Sequence, residues 1–283
     1  MPDTAELHGH SIIPSTHRLT DIDNSESAVL LLPHHLPGGL EGKPHKHDRG
    51  QLIYPQKGRF RLWAGDRFWT GSRQQAMWVP PGVVHSVKTL DEMFVHNVYV
   101  NTDLVPGFPD RCKIIQVSPL LRELLAYGLT LPRTYEHVTE HVRTMLAITD
   151  QIRLADDLVD IHLPVPRDRR LKVITDHLME NPDDNRGLED WSKTAHASTR
   201  TLARLFVSET GLTFRQWRQH LRIAEAITRL SEGHSVLNVS MDLGYASQSA
   251  FTTMFRKLMG RTPSAFHPKG LNSEMPAPVE TMP

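Results

Sequence analysis

The chain holds a single cysteine, Cys112, among 283 residues, so it can form no internal disulfide. That excludes the small disulfide-stapled folds and fits a reducing compartment. Long apolar runs are lacking too. The longest, Ala28 to Leu32, is strand-sized, whereas a membrane span needs about 20 apolar residues. No membrane partner is expected. The opening MPDTAELHGH has neither the basic start nor the apolar stretch of an export signal. An excess of one charge sign is also absent, with 32 basic residues meeting 32 acidic ones. The total charge therefore points to no particular partner.

What is present is ordinary globular material, 39% hydrophobic, and enough chain for about two domains. Its charge is unevenly spread. Between Trp191 and Gly270 eleven basic residues face four acidic ones, a surplus of seven that the rest of the chain balances. Such a segment fits a polyanion-binding module, and equally a solvated charged face.

Residues 1–27 are polar and read as a loosely ordered arm. Over 28–103, short apolar runs such as QLIY (51–54), RFRLWAG (59–65), AMWVP (76–80) and MFVHNVYV (93–100) are broken by Gly, Pro and Asn. That pattern predicts a small all-β sandwich or barrel. Past Ser118 the period changes. Leu120, Leu121, Leu124 and Leu125, then Val138, Val142, Met145, Ile148 and Ile152, recur at helical spacing, which predicts two helices within 117–160. The prolines of HLPVPRDRR (162–170) forbid helix continuation and place a linker at 161–167. Residues 168–268 read as helical, and 269–283 as a disordered tail. The fold class is α+β: a β-domain, following helices, then an all-α domain.

The helical part repeats. WSKTAHASTRTLARLFVSETGLTFRQW (191–217) aligns without a gap on SMDLGYASQSAFTTMFRKLMGRTPSAF (240–266). Ala195 meets Gly244, Ser198 meets Ser247, Leu202 meets Phe251, Phe206 meets Phe255 and Gly211 meets Gly260. In each copy a short helix ends near a small residue, a Ser caps a longer helix, and a Gly stops it. That is the grammar of a helix-turn-helix, whose second helix is free to enter a major groove. Between the copies FRQWRQHLRIAEAITRLSEG (214–233) carries Trp217, Leu221, Ala224 and Leu230 as an apolar stripe and reads as a rigid connecting helix.

These residues carry a family resemblance. LGYASQSAFTTMFRKLMGRTPSAF (243–266) and STRTLARLFVSETGLTFRQWR (198–218) resemble the DNA-binding domain of the AraC/XylS family of bacterial regulators. His267 departs from it, standing where an Arg is common. The resemblance implies a non-enzymatic, one-component, effector-responsive transcription regulator in the bacterial cytoplasm. Its implied partners are double-stranded promoter DNA, an effector, a second copy of the chain held through 117–160, and RNA polymerase if it activates.

In the first recognition helix Leu202, Leu205 and Phe206 are expected in the core, with Thr199, Arg200, Ala203 and Arg204 outward. Arg200 and Arg204 share a helical face and suit guanine, or phosphate alone. In the second helix Gln248, Ser249, Thr252 and Thr253 face outward, suited to adenine and thymine edges or to backbone alone. Arg215, Arg256, Lys257 and Arg261 are expected to clamp phosphates.

The β-domain holds GLEGKPHKHDRGQLIYPQKG (39–58) and PPGVVH (80–85), which resemble the two motifs of the cupin barrel. The resemblance maps a metal-ligand set onto His45, His47, Gln51 and His85. Gln51 departs from it, since metal-binding cupins have Glu there, and Thr89 stands where Asn is common. Three histidines still suffice for a divalent transition metal with one open position. A metal-free scaffold and a polar pocket for an organic effector stay open beside it. Trp63, Trp69 and Trp78 are candidates to line such a pocket, or to pack the core; Trp78 is counted with the effector site. HLPVPRDRR, with the cupin motifs, resembles a subgroup that includes a regulator of nitroimidazole efflux.

Two other functions compete. A barrel enzyme, a metal-dependent dioxygenase or isomerase, would need an ionisable acid or base, which Gln51 does not supply. An interaction protein that had lost DNA binding would not need Arg200, Arg204 or a basic connecting helix.

Overall fold

The computed structural model describes residues 22–73, 75–135, 137–155 and 162–268. They fall in two units, one within Met1–Asp160 and one within Ile161–Pro283. The expected tail and most of the expected arm lie outside the described residues.

The first unit contains eight antiparallel strands. They are β1 (Val29–Leu36), β2 (Gly50–Lys57), β3 (Phe60–Ala64), β4 (Arg67–Gly71), β5 (Gln75–Val79), β6 (His85–Thr89), β7 (Met93–Val100) and β8 (Lys113–Gln116). One sheet runs β1-β7-β2-β5-β8. In the other, β3 lies between β6 and β4. Side chains alternate across each strand, and this decides which of them meet. Ile53, Phe60, Leu62, Trp69, Met77, Val79, Val87, Met93 and Val95 fill the space between the sheets. Leu52, Tyr54, Ala76, Trp78, Val98 and Val100 leave the opposite face of the five-stranded sheet.

That outer face is covered by α1 (Pro119–Gly128) and α2 (Thr139–Leu154), through Leu121, Leu125, Met145, Ile148 and Ile152. Burial of each such side chain is worth roughly 1.5–3 kcal/mol. A sheet covered on both faces accounts for the unbroken apolar runs in β2 and β5. The helical stripe is thus spent on the sheet. Leu120, which shares the expected periodicity, is exposed.

The edges of this unit correct two expectations. The arm does not stay loose to residue 27. Ile22 is buried against Leu30, Leu32 and Tyr99, and the Arg49 guanidinium donates to the carbonyls of Ser25 and Ser27. Nor does the β-domain end at 103, because KIIQ forms β8 and pairs with β5. So short a run carries little periodic signal.

The second unit contains α3 (Arg169–Glu180), α4 (Leu188–Thr194), α5 (Thr199–Thr210), α6 (Phe214–Ser231), α7 (Val236–Asp242), α8 (Gln248–Met259) and a 3₁₀ turn at Pro263–Phe266. Asp168, Ser198, Thr213, Ser235 and Ser247 each accept a backbone N–H in the first turn of the helix they open. α5 and α8 both stop on a left-handed glycine, Gly211 and Gly260.

α6 serves two cores. Trp217 and Phe214 meet Phe206 of α5, whereas Ile223, Ala226, Ile227 and Leu230 pack with Val239, Leu243, Phe251 and Phe255. Its burial is therefore wider than the expected stripe, and from Leu221 to Ser231 only Arg229 is not buried. The expected linker is tied to this unit from Pro164 on. Trp217 Nε1 donates to Pro164 O at 2.9 Å, and the Glu209 carboxylate accepts from the backbone N–H groups of Arg167 and Asp168. Among the described residues no helix is long and apolar enough to cross a membrane.

Candidate functional site

The two helix-turn-helix units are α4–α5 and α7–α8, each with a side-chain-capped second helix held by two fully buried residues. These are Leu202 and Phe206 in α5, and Phe251 and Phe255 in α8. Leu205, expected beside them, is only half-buried. On the outward faces Arg200, Ala203 and Arg204 are exposed and Thr199 is half-buried; Gln248, Ser249 and Thr253 are exposed and Thr252 is half-buried. Arg215, Arg256 and Lys257 are exposed as well. Among the described residues none of Arg200, Arg204, Arg215, Arg256 and Lys257 makes an ion pair, so their charge is available to a polyanion.

Not all of the basic surplus is available in this way. Arg222 is 6% exposed. Its Nε donates to Pro182 O at 2.7 Å, and its Nη2 to Asp184 O at 3.1 Å and Asn185 Oδ1 at 3.0 Å. Arg218 Nη1 donates to Arg186 O at 2.7 Å. Asn185 Nδ2 in turn donates to Gly244 O at 3.0 Å, in the turn between α7 and α8. In the same loop the Arg186 guanidinium beside Asp184 holds that carboxyl down to about 2. The connecting helix thus spends two arginines on fastening the 182–186 loop to the second turn. A polarity pattern cannot separate these from free arginines, because both occupy the helix at the same spacing.

The turns differ as well. Ala195, aligned with Gly244, is right-handed at φ −84°, and the left-handed residue of the first turn is His196 at φ 49°. Gly244 itself has φ 75°, and a Cβ there would lie 2.5 Å from Asp183 O. The second turn needs glycine both for its conformation and for the approach of the 182–186 loop.

In the β-rich unit, the segment carrying His45 and His47 pairs with the one ending at His85. His45 N–H donates to His85 O at 2.9 Å, His85 N–H to His45 O at 2.8 Å, and Gly82 N–H to His47 O at 2.8 Å. This brings one ring nitrogen of each histidine within 4.8 Å of the others. The Nδ1 atoms lie 2.9, 2.7 and 2.9 Å from the carbonyls of Lys43, Arg49 and Val83. A carbonyl only accepts, so each Nδ1 carries the proton and each Nε2 keeps a lone pair. Burial pushes His85 down to about 3 and holds His45 below the ordinary imidazole value.

Gln51 closes the cluster. Its Oε1 lies 2.9 Å from His47 Nε2 and 3.1 Å from His85 Nε2. Its Nε2 donates to Asn97 Oδ1 at 3.0 Å and Tyr99 Oη at 3.2 Å, while Asn97 Nδ2 donates to His34 Nδ1 at 3.0 Å. Set this way, four acceptor atoms face one another, an arrangement that suits a cation.

Asn97, Tyr99 and His34 escape a motif search. The signal is in the alternation of MFVHNVYV, where Asn97 and Tyr99 fall on the same strand face as Met93 and Val95. The same alternation removes Trp78 from the cluster. It is fully buried on the outer face of the five-stranded sheet, stacked on Phe108 with ring centroids 4.5 Å apart. Its Nε1 donates to Pro109 O at 3.0 Å. Trp69 packs between the sheets, and Trp63 is half-buried against Phe68.

Comparison with known proteins places these features. Residues 191–268 match a helix-turn-helix domain model, and residues 40–161 match that of an AraC-like ligand binding domain. The HTH-type transcriptional regulator NimR of Escherichia coli is 32% identical over 243 residues, 85% of this chain and 88% of that one. The HTH-type transcriptional regulator RipA of Corynebacterium glutamicum is 35% identical over 103 residues, 36% of this chain and 31% of that one. The arabinose operon regulatory protein of Salmonella typhimurium is 25% identical over 163 residues, 56% of this chain and 55% of that one. The chain belongs to the AraC family of transcription regulators, with an N-terminal ligand-binding domain and a C-terminal helix-turn-helix domain that binds DNA.

Proposed function

We propose that the chain is a one-component cytoplasmic regulator in which α5 and α8 enter adjacent major grooves of promoter DNA. In this reading Arg200 and Arg204 read bases, with Thr199 and Ala203 beside them. Gln248, Ser249, Thr252 and Thr253 make the second, weaker contact, and Arg215, Arg256 and Lys257 hold phosphates. His45, His47, Gln51 and His85 take a divalent first-row transition metal, and its occupancy biases DNA binding. RNA polymerase is the further partner where the bound chain lies beside it.

One observation carries the sensor half: three imidazoles tied at Nδ1 to backbone carbonyls, with Nε2 lone pairs and an amide oxygen converging. When bound, the metal would supply a fixed positive charge on which a further ligand can be held. The amide suits a site that fills and empties. Rotated by half a turn, Gln51 can donate to both imidazoles and satisfy them without metal, which a carboxylate cannot do. The free space beside the cluster is about 10 Å³, the scale of one water molecule, and this argues against a large organic effector. An amide in place of an acid or base supports a sensor over an enzyme.

Metal analysis of the purified chain, beside genome-wide binding maps with and without chelator, tests both halves. The expected result is about one metal ion per chain, lost in His47→Ala and His85→Ala, and discrete promoter peaks that change on chelation. A map without promoter peaks defeats the DNA reading. Metal-free protein whose peaks ignore chelator defeats the metal reading. Self-association would use the exposed apolar residues of α1 and α2, among them Leu120, Tyr127, Leu146 and Leu154. Sedimentation showing only monomer at high concentration would overturn it.

A further inference from the structure

The barrel site has a charge to balance, and the balance specifies a second ligand; the argument rests on the metal reading above. Three imidazoles and an amide are neutral donors. A divalent ion held by His45, His47, His85 and Gln51 therefore keeps its whole double positive charge. Around it the chamber is walled by Leu36, Ile53, Val87, Met93 and Val95, and none of the residues lining it is acidic. Tyr99, which also lines it, has its hydroxyl engaged by the Gln51 amide, whose Nε2 donates to Oη at 3.2 Å. The nearby Arg49, 2% exposed, is accounted for separately: its guanidinium donates to the carbonyls of Ser25 and Ser27 and is faced by Asp23. Charge left uncompensated in apolar surroundings is costly.

We infer that the metal-loaded barrel binds a small monovalent anion directly on the metal, in the free space between the histidines and Met93. The anion takes the place of a water and supplies the negative charge that Gln51 withholds. The free space is on the scale of one water molecule, so an anion of a few atoms enters only as the flexible Met93 side chain gives way, and a bulky organic acid does not enter. Gln51 is the selecting residue. With a carboxylate at that position the donor set would carry its own negative charge and the demand for an outside anion would fall.

The test uses the full chain loaded with Co²⁺, whose visible absorption reports its ligands. Sodium azide is the probe and sodium benzoate the bulky control. Azide is expected to shift the cobalt bands saturably, and benzoate to leave them unchanged. Gln51→Glu is expected to keep cobalt and to bind azide about tenfold more weakly or worse. Met93→Phe narrows the chamber without altering the donors, and is expected to weaken azide similarly while the azide-free cobalt spectrum stays the same. Cobalt bands that azide never moves overturn the anion ligand and leave the metal reading standing. So does a folded Gln51→Glu protein that binds azide as tightly as the unaltered chain. Protein that takes up no cobalt overturns both, and metal analysis shows this before any anion is added.

Discussion

In the first helix-turn-helix the turn passes through Ala195 and His196, and the helix beyond it shows Arg200 and Arg204 to solvent. In the second, Gly244 makes the turn, and the helix beyond it shows Gln248, Ser249 and Thr253. Caps, buried residues and stop glycines coincide. What differs is what each turn is fastened to. The second turn is bound through Asn185 to the 182–186 loop, which Arg218 and Arg222 hold against α6. The repeat therefore marks equal architecture but not equal duty. The first recognition helix carries free arginines in its first two turns, where the second carries Gln248, Ser249 and Thr252 and has its free Arg256 only in the last turn, and two of the arginines between the units secure the second.

The sharpest way to break this comparison is Arg222→Ala. It leaves the buried carbonyl of Pro182 without its donor, takes one of two donors from Asp184 O, and removes the donor to the Asn185 amide oxygen. The expected cost is about 3 kcal/mol or more, read as a lower urea midpoint of the second unit's unfolding. Gly244→Ala comes next, at about 2 kcal/mol, because a left-handed conformation and a close carbonyl both oppose the new Cβ. Gly211→Ala is its control. Gly211 is also left-handed but has nothing within 4 Å of the added Cβ, so about 1 kcal/mol is expected. Equal costs at the two glycines would show that the 182–186 loop does not constrain the second turn.

On DNA the asymmetry should reappear. Arg204→Ala is expected to cost about 1.5 kcal/mol at one base pair, within the range of a bidentate base contact, and Gln248→Ala less. A binding-site selection that shows unchanged preference for Arg204→Ala would reverse the assignment. Smallest is Lys257→Ala, expected to weaken all sequences alike and to reduce the slope of log affinity against log salt by about 0.9.

Legibility followed the range of the physics involved. Ser198, Ser247, Gly211 and Gly260 could be read directly, because capping and helix termination act within a turn of the chain. His45, His47, Gln51 and His85 fall within two short motifs, and the backbone pairing of His45 with His85 brings them together. Asn97, Tyr99 and His34 carry no such local signal, since hydrogen bonds across strands join residues far apart in sequence. Trp78, expected at the effector site, lies on the other face of its sheet for a related reason: proximity to a motif does not say which side of a strand a residue takes. Strand β8 is not legible in the sequence because four residues hold too little of a period.

By itself the sequence determined the order of the two kinds of domain, the repeat with its caps and stops, and the histidine spacing. These are properties of local backbone chemistry and of periodicity, which need no knowledge of distant partners. Only the tertiary structure decided which arginines are free and which are spent, because a guanidinium's role depends on whether carbonyls from another loop surround it. It also decided that the outer face of the barrel sheet belongs to α1 and α2, and that the neutral Gln51 stands in a chamber without acids. Both follow from what packs against a strand, which the strand's own residues do not state.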